Sequence, residues 1–217
     1  MNVKDAINLR SSIRSFKDTP VDSNLIHSLL ETASRSPSGG NLQPWKVFIL
    51  NNESMQEFLD FQKNWDKPEV PAYDIYPPKL KEPYRSSRYD LGEEMYKLLG
   101  IDRDNKEGRL SQVLENFKFF GAPCALFCFI DRQMGPPQWS DLGMFLQSFM
   151  LLATEAGLDT CAQEAWSIKH DSVSKFVKAE ESDILFCGMA IGYKDDTAVV
   201  NSLKSQRRSI QEWAKFI

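Results

Sequence analysis

The sequence predicts an α+β fold, a layered sandwich in which helices cover both faces of a central sheet. Three apolar strand-like runs carry that reading: residues 45–50, continuous from Val47 to Leu50, 122–130 and 184–191. Each is too continuous for a strand with one wet face, so each is expected to be buried on both. Helical-period segments separate them, and alternating strands and helices imply layers around one core. The third observation is a helix expected over 139–156. Leu142, Phe145, Leu146, Phe149, Leu152, Ala153 and Ala156 form one stripe, while Met144, Met150 and Leu151 make other faces apolar too. A helix apolar nearly all round is buried nearly all round. In a chain of 217 residues, that predicts packing against a second subunit as well as against its own sheet.

The remaining elements follow in order. Residues 2–10 read as a short helix ending at an arginine cluster. Asp22-Ser23 offers an N-cap to a second helix, whose Leu25, Ile26, Leu29, Leu30 and Ala33 keep the helical period. Pro37 stops it, and Gly39-Gly40 make a loop into the first strand. Residues 53–66 read as a helix. From Pro68 to Pro83 the chain is rich in proline, carries Tyr73 and Tyr76, and has no periodicity. A long irregular stretch inside a compact chain reads as a lid or an interface arm. Helices are expected over 86–99 and 106–119, a turn over 134–138, a helix stop at Gly157 and a short helix over 172–178. A helical or extended arm is expected over 209–216. The whole, 1–217, reads as a single domain with a lid or interface excursion at about 61–120.

Composition excludes several classes. The formal charge is −4, so no basic footprint for nucleic acid is present. No apolar run approaches the roughly 20 residues needed to span a bilayer. The start, Met1-Asn2-Val3-Lys4-Asp5, lacks the apolar core of a signal peptide, and the expected location is the cytoplasm. Cys124, Cys128, Cys161 and Cys187 make no zinc-type pair of pairs and read as small buried hydrophobes. His27 and His170 read as residues of polar helical surfaces, without catalytic or metal roles.

Two N-terminal segments carry the chemistry. Arg10-Ser11-Ser12-Ile13-Arg14 gathers two guanidinium groups and two hydroxyls; Ser36-Pro37-Ser38-Gly39-Gly40-Asn41-Leu42-Gln43-Pro44-Trp45 is a tight loop feeding a strand. Forked arginines suit a phosphate, and a glycine-rich loop lets backbone N–H groups approach a flat or anionic ligand. Read by spacing alone, Arg10 and Arg14 share a face if the helix continues through them, and they also fit a solvated helix end. The Pro-Ser-Gly-Gly-Asn run equally fits a plain helix-to-strand turn.

With Ala162-Gln163-Glu164-Ala165-Trp166 and Gly188-Met189-Ala190-Ile191-Gly192-Tyr193, these segments resemble the nitroreductase family of FMN-dependent oxidoreductases. The resemblance runs from Ala6 to about Trp213. It implies a three-layer α/β/α sandwich with a mixed, mostly antiparallel sheet, and a swapped homodimer with FMN at the subunit interface. It implies that Arg10, Ser11, Ser12 and Arg14 bind FMN, Arg10 near phosphate and ribityl and Arg14 near the N1–C2=O edge. A cation there stabilises the anionic reduced flavin. Ser11 stands where relatives often carry arginine or histidine. Pro37, Ser38, Gly39 and Asn41 would line the flavin of the neighbouring subunit, with Gln43 and Trp45 fixing the loop. Gln163, Glu164 and Ala165 would form the turn whose backbone N–H reaches flavin N5; Ala165 replaces the usual glycine. Lys204 and Arg207 would meet the phosphate, Arg208 being the alternative to Arg207.

The resemblance implies no catalytic side chain, because the flavin itself carries the hydride. NAD(P)H would reduce FMN, and a nitroaromatic, quinone or related electron-poor compound would then accept the electrons in ping-pong order. Trp65, Tyr73, Tyr76, Phe117 and Phe120 are candidates to cover the ring and stack a planar acceptor. Arg85 and Arg88 fit either surface ion pairs or contact with the nicotinamide cofactor or substrate. A flavin-binding or storage protein without turnover carries the same arginine cluster, and the fold also hosts reductive dehalogenases and enone reductases.

Overall fold

The computed structural model describes residues 1–217. Four strands, β1 (Lys46–Asn51), β2 (Cys124–Asp131), β3 (Asp159–Gln163) and β4 (Asp183–Gly192), form one sheet in the order β1-β2-β4-β3. All three strand pairings are antiparallel. A single parallel bridge, Ser12 to Thr160, extends the sheet beyond β3.

Strand β2 is buried on both faces, as its continuity requires; β1, expected to be so as well, is an edge strand in which only Leu50 is buried. Along β2, Cys124, Leu126, Cys128 and Ile130 enter the core on one face, and Ala125, Phe127 and Phe129 enter the core on the other. The two-residue period of a strand sorts them so. The first core lies under α2 (Ser23–Ala33) and α6 (Pro136–Glu155). The second lies under α3 (Glu53–Lys63), α7 (His170–Val177) and two 3-10 segments, Glu115–Gly121 and Glu164–Lys169. The arrangement is therefore three layered. The short α1 (Val3–Leu9) packs on α6. Helices α4 (Tyr84–Leu98) and α5 (Lys106–Leu114) contain no buried residue.

Several boundaries differ from the sequence reading. Strand β3 was not expected as a strand. Its Asp-Thr-Cys-Ala-Gln composition carries little strand signal, and pairing with β4 decides its conformation. Helix α6 begins at Pro136, where a turn was expected; a proline in the first helical turn needs no N–H partner. The helix expected over 106–119 stops at Leu114 and gives way to a 3-10 segment in which Phe119 and Phe120 take positive φ. Gly157 stops α6 in the left-handed region, with Leu158 N–H donating to Ala153 O at 2.8 Å. All four cysteines are free and buried.

One face of α6 remains outside the core. Met144 is 40 % exposed, while Leu142 and Phe149 are completely buried. No helix is long and apolar enough to cross a membrane.

Candidate active site

Helix α1 ends at Leu9, so Arg10 and Arg14 do not share a helix face. The chain instead runs extended beside β3. Ile13 N–H donates to Thr160 O at 3.1 Å, and Ser12 bridges Thr160. In an extended segment alternate residues share a side. Ile13 is buried, which places Arg10, Ser12 and Arg14 together on the opposite side and Ser11 with Ile13. Arg10 sits at the C-cap, its N–H donating to Ala6 O at 2.9 Å.

These groups converge on Cys161 of β3. Burial pushes its thiol up to about 11, against the pull of Arg14, the Ser12 hydroxyl and Arg10; the nearby Glu164 carboxylate acts in the same direction as burial. Arg10, Ser12, Arg14 and Glu164 thus all lie near enough to β3 to act on the buried Cys161 thiol. Arg14 Nη1 also donates to Ser12 O at 3.2 Å.

Asn201, which sequence reading did not single out, joins this segment to the C-terminal tail. Its Oδ1 accepts from Arg14 N–H at 2.8 Å, and its Nδ2 donates to Ser15 O at 2.8 Å and Asp195 O at 2.9 Å. Lys204 follows three positions later, just past the buried Leu203. Arg10, Arg14, Lys204, Arg207 and Arg208 form no ion pair, so their charge is unneutralised. Arg207 Nη1 donates to Ser205 Oγ at 2.7 Å in its own exposed tail, and Arg208 stacks over Tyr84 at 5.6 Å.

Gln163, Glu164 and Ala165 form the end of β3 and the start of a 3-10 turn. Gln163 is buried, and its Nε2 donates to Asn116 O at 2.7 Å. Its Oε1 and the Thr160 hydroxyl are buried without partners. Ala165 has no positive φ, so the turn tolerates its Cβ. The opening N–H groups of a helical turn have no acceptor within it.

The Ser38–Asn41 loop is built elsewhere. Asp141, a buried carboxylate of α6, accepts from Gly39 N–H at 3.2 Å, and Ser38 Oγ accepts from Gln43 N–H at 3.0 Å. Gly40, Asn41 and Gln43 take positive φ. Gln43 Nε2 donates to Asn41 O at 3.2 Å, and Trp45 stacks on Phe145 at 5.0 Å. Pro37 precedes the loop. None of the loop's hydrogen bonds reaches the Arg10–Arg14 segment of the same chain.

The aromatic set expected to cover one ligand is divided. Phe120 belongs to the core. Phe117 stands edge-on to Trp166 on the second core, whereas Tyr73 packs on Trp139 and Phe186, which border the first. Tyr73 Oη donates to Phe186 O, and burial raises its phenol pKa. Tyr76 is half exposed beneath Arg88 at 4.3 Å, and Lys67 lies over Trp65 at 5.7 Å. Arg85 pairs with Glu82 at 2.7 Å.

His170 is buried, contrary to the expectation of a polar surface. Leu185 N–H donates to its Nδ1 at 3.4 Å, and Arg132 Nη2 lies 3.2 Å from its Nε2. His27 is exposed on α2.

Comparison with known proteins decides the family. The profile described as Nitroreductase family matches residues 7–193. The chain belongs to the nitroreductase family. A 4-nitrobenzoate reductase of Pseudomonas putida is 34% identical over 211 residues, covering 96% of this chain and 92% of its own. The crystal structure of an FMN and NADPH-dependent nitroreductase, NfnB, from Sphigopyxis sp. strain HMH superposes with a TM-score of 0.95 at 41% identity, covering 100% and 99% of the two chains. The FMN-dependent nitroreductase NfnB from Mycobacterium smegmatis, in complex with NADPH, gives 0.92 at 25% identity, covering 99% and 97%. Sequence reading missed Asn201, Asp141 and Asn116, which hydrogen-bond Arg14, Gly39 and Gln163. Each is a lone polar residue whose partners lie far away along the chain, so no local signal marks it.

Proposed function

We propose that this nitroreductase is an FMN-dependent oxidoreductase that uses NADPH to reduce nitroaromatic compounds, and that it works as a homodimer. The observation that carries the reading is that the Arg10–Arg14 segment runs along β3, which ends in the Glu164–Ala165 turn and holds the unpartnered Thr160 Oγ1 and Gln163 Oε1. Unneutralised cations and buried polar atoms lacking partners, Gln163 Oε1 and Thr160 Oγ1, fit a ligand that is both anionic and rich in hydrogen-bonding groups. FMN is such a ligand, and of the solved structures named above one is an FMN and NADPH-dependent nitroreductase and the other an FMN-dependent nitroreductase in complex with NADPH.

Bound FMN supplies the electron transfer between donor and acceptor. The residues of the chain do the rest. Arg10 and Lys204, with Arg207 from the exposed C-terminal tail, supply charge for the phosphate. Arg14, held through its own N–H by Asn201, keeps a cation beside the ring edge on which negative charge grows. The Glu164 and Ala165 N–H groups offer backbone donors that need no side-chain rotation. No side chain is required as an acid, since water supplies protons.

The Ser38–Asn41 loop makes no hydrogen bond to its own Arg10–Arg14 segment, and α6 leaves apolar side chains such as Met144 exposed. A second copy packed on α6 covers that face and brings this loop to its partner's ligand. NADPH and acceptor then occupy one pocket in turn, a ping-pong order that admits quinones as well as nitroaromatics. Oxidation of NADPH by the flavin-loaded protein, with and without 4-nitrobenzoate, tests the reading. The expected result is acceptor-dependent oxidation with parallel reciprocal plots. Tight flavin binding with no turnover for any acceptor would instead make the chain a flavin-binding protein.

A further inference from the structure

The turn at Glu164–Ala165 is held between two clamps. On one side is Gln163, fixed across the sheet to Gly188 and by its side chain to Asn116 O at 2.7 Å. On the other is Trp166, fully buried among Phe58, Phe117, Phe119 and Phe127, with ring centroids 5.4, 5.3, 4.6 and 5.3 Å away. Only two residues separate the clamps. From outside, Ser167 O accepts from Ala72 N–H at 2.8 Å.

The indole lies directly on β4 at Gly188. A Cβ built at Gly188 would overlap the indole Cδ1 and stand 3.0 Å from Cγ and Nε1. Gly188 does not take a positive φ, so the glycine is not needed for backbone conformation. What the position requires is space. The same residue that faces Gln163 in the β3–β4 ladder thus clears the seat for Trp166, and both ends of the turn depend on it.

We propose that Gly188, Gln163 and Trp166 are positioning residues that set the placement of the Glu164 and Ala165 backbone N–H groups, and through them the redox potential and reduction rate of the bound flavin. The inference rests on the FMN reading given above. Gly188 acts by its missing side chain: any Cβ lifts the indole and drags the turn with it. A displacement of about 1 Å in a group that orients a reaction can cost on the order of 10²-fold in rate. The phosphate cations lie on other segments, so flavin uptake is affected far less than flavin chemistry.

The test compares wild type, Gly188→Ala, Trp166→Leu and the double variant, each loaded with FMN. The readouts are the flavin absorption spectrum, its midpoint potential and the single-turnover rate of reduction by NADPH. Gly188→Ala is expected to keep FMN, shift the spectrum and potential, and slow reduction at least about 10-fold. In the Trp166→Leu background, with no indole to displace, Gly188→Ala is expected to add little, a strongly non-additive cycle. An FMN-loaded Gly188→Ala with wild-type potential and rate overturns the inference, and so does an additive cycle. If Gly188→Ala does not fold, Trp166→Phe carries the same readouts, and unchanged potential and rate there overturn it equally. Wild-type protein that takes up no FMN at all removes the functional reading itself, a result distinct from either of these.

Discussion

Replacing Asn201 by alanine breaks the joint between the arginine segment and the tail that carries Lys204. The side chain makes three hydrogen bonds, to Arg14 N–H, Ser15 O and Asp195 O, at 2.8, 2.8 and 2.9 Å. Each is partly buried, and a typical net contribution is about 0.5–1.5 kcal/mol. The expected loss of stability is therefore about 2–4 kcal/mol, read as a lower urea midpoint of the flavin-free protein. The effect on the ligand is separate. Arg14 loses the anchor of its own backbone, and a charge-assisted hydrogen bond is worth about 1.5–3 kcal/mol. FMN affinity, measured by quenching of flavin fluorescence, is expected to fall about 10- to 100-fold. Asn201→Asp keeps an acceptor for Arg14 N–H but turns donors into acceptors against two carbonyls, so it should be no more stable than the alanine variant. Wild-type stability and wild-type FMN affinity in Asn201→Ala would refute the role given to this residue.

Three further outcomes follow from the same geometry. Arg14→Ala is expected to weaken FMN binding and slow flavin reduction by NADPH in stopped flow; wild-type behaviour in both removes Arg14 from the site. Burial and the Arg132 guanidinium hold the His170 imidazole below its ordinary pKa. The native state then binds its proton less readily than the unfolded chain. Stability is full above about pH 6.5 and falls as the pH drops below it, so urea midpoints should decline from about pH 7.5 to 5.5 and His170→Gln should flatten that decline. An equal slope in both proteins would exclude His170 as the source. Burial pushes the Cys124 and Cys128 thiols up to about 12, so a thiol reagent at neutral pH should label them only after unfolding. Rapid labelling of either in the native protein would show that the core opens.

What the sequence makes legible is whatever is written in local pattern. Strands β1, β2 and β4 each hold a continuous apolar run, and the stop of α6 is a glycine in the left-handed region. Strand β3 has no such pattern: Asp159 to Gln163 are polar and small residues without alternation, and the ladder with β4 imposes the strand. The end of the first helix at the arginine cluster was legible, but the course of the chain beyond it was not. Spacing of four suggests a helix face, yet the chain is extended, and its two-residue period brings Arg10, Ser12 and Arg14 together by another route. Asn201 and Asp141 were illegible because their partners lie in other segments, Asn201 facing Arg14 across nearly the whole chain and Asp141 facing Gly39. Gly188 belonged to a recognisable motif, but its reason lies in the indole above it, which only the packed structure reveals.

The central claim is that two copies of the chain together build each of two flavin sites from scattered cations and backbone amides. Sedimentation velocity of the purified protein mixed with FMN, followed at a wavelength where only the flavin absorbs, tests it in a single experiment. The account predicts a yellow boundary moving at the rate of a dimer, with one FMN per chain. Flavin colour that stays with the free small molecule, or travels with a monomer, contradicts it.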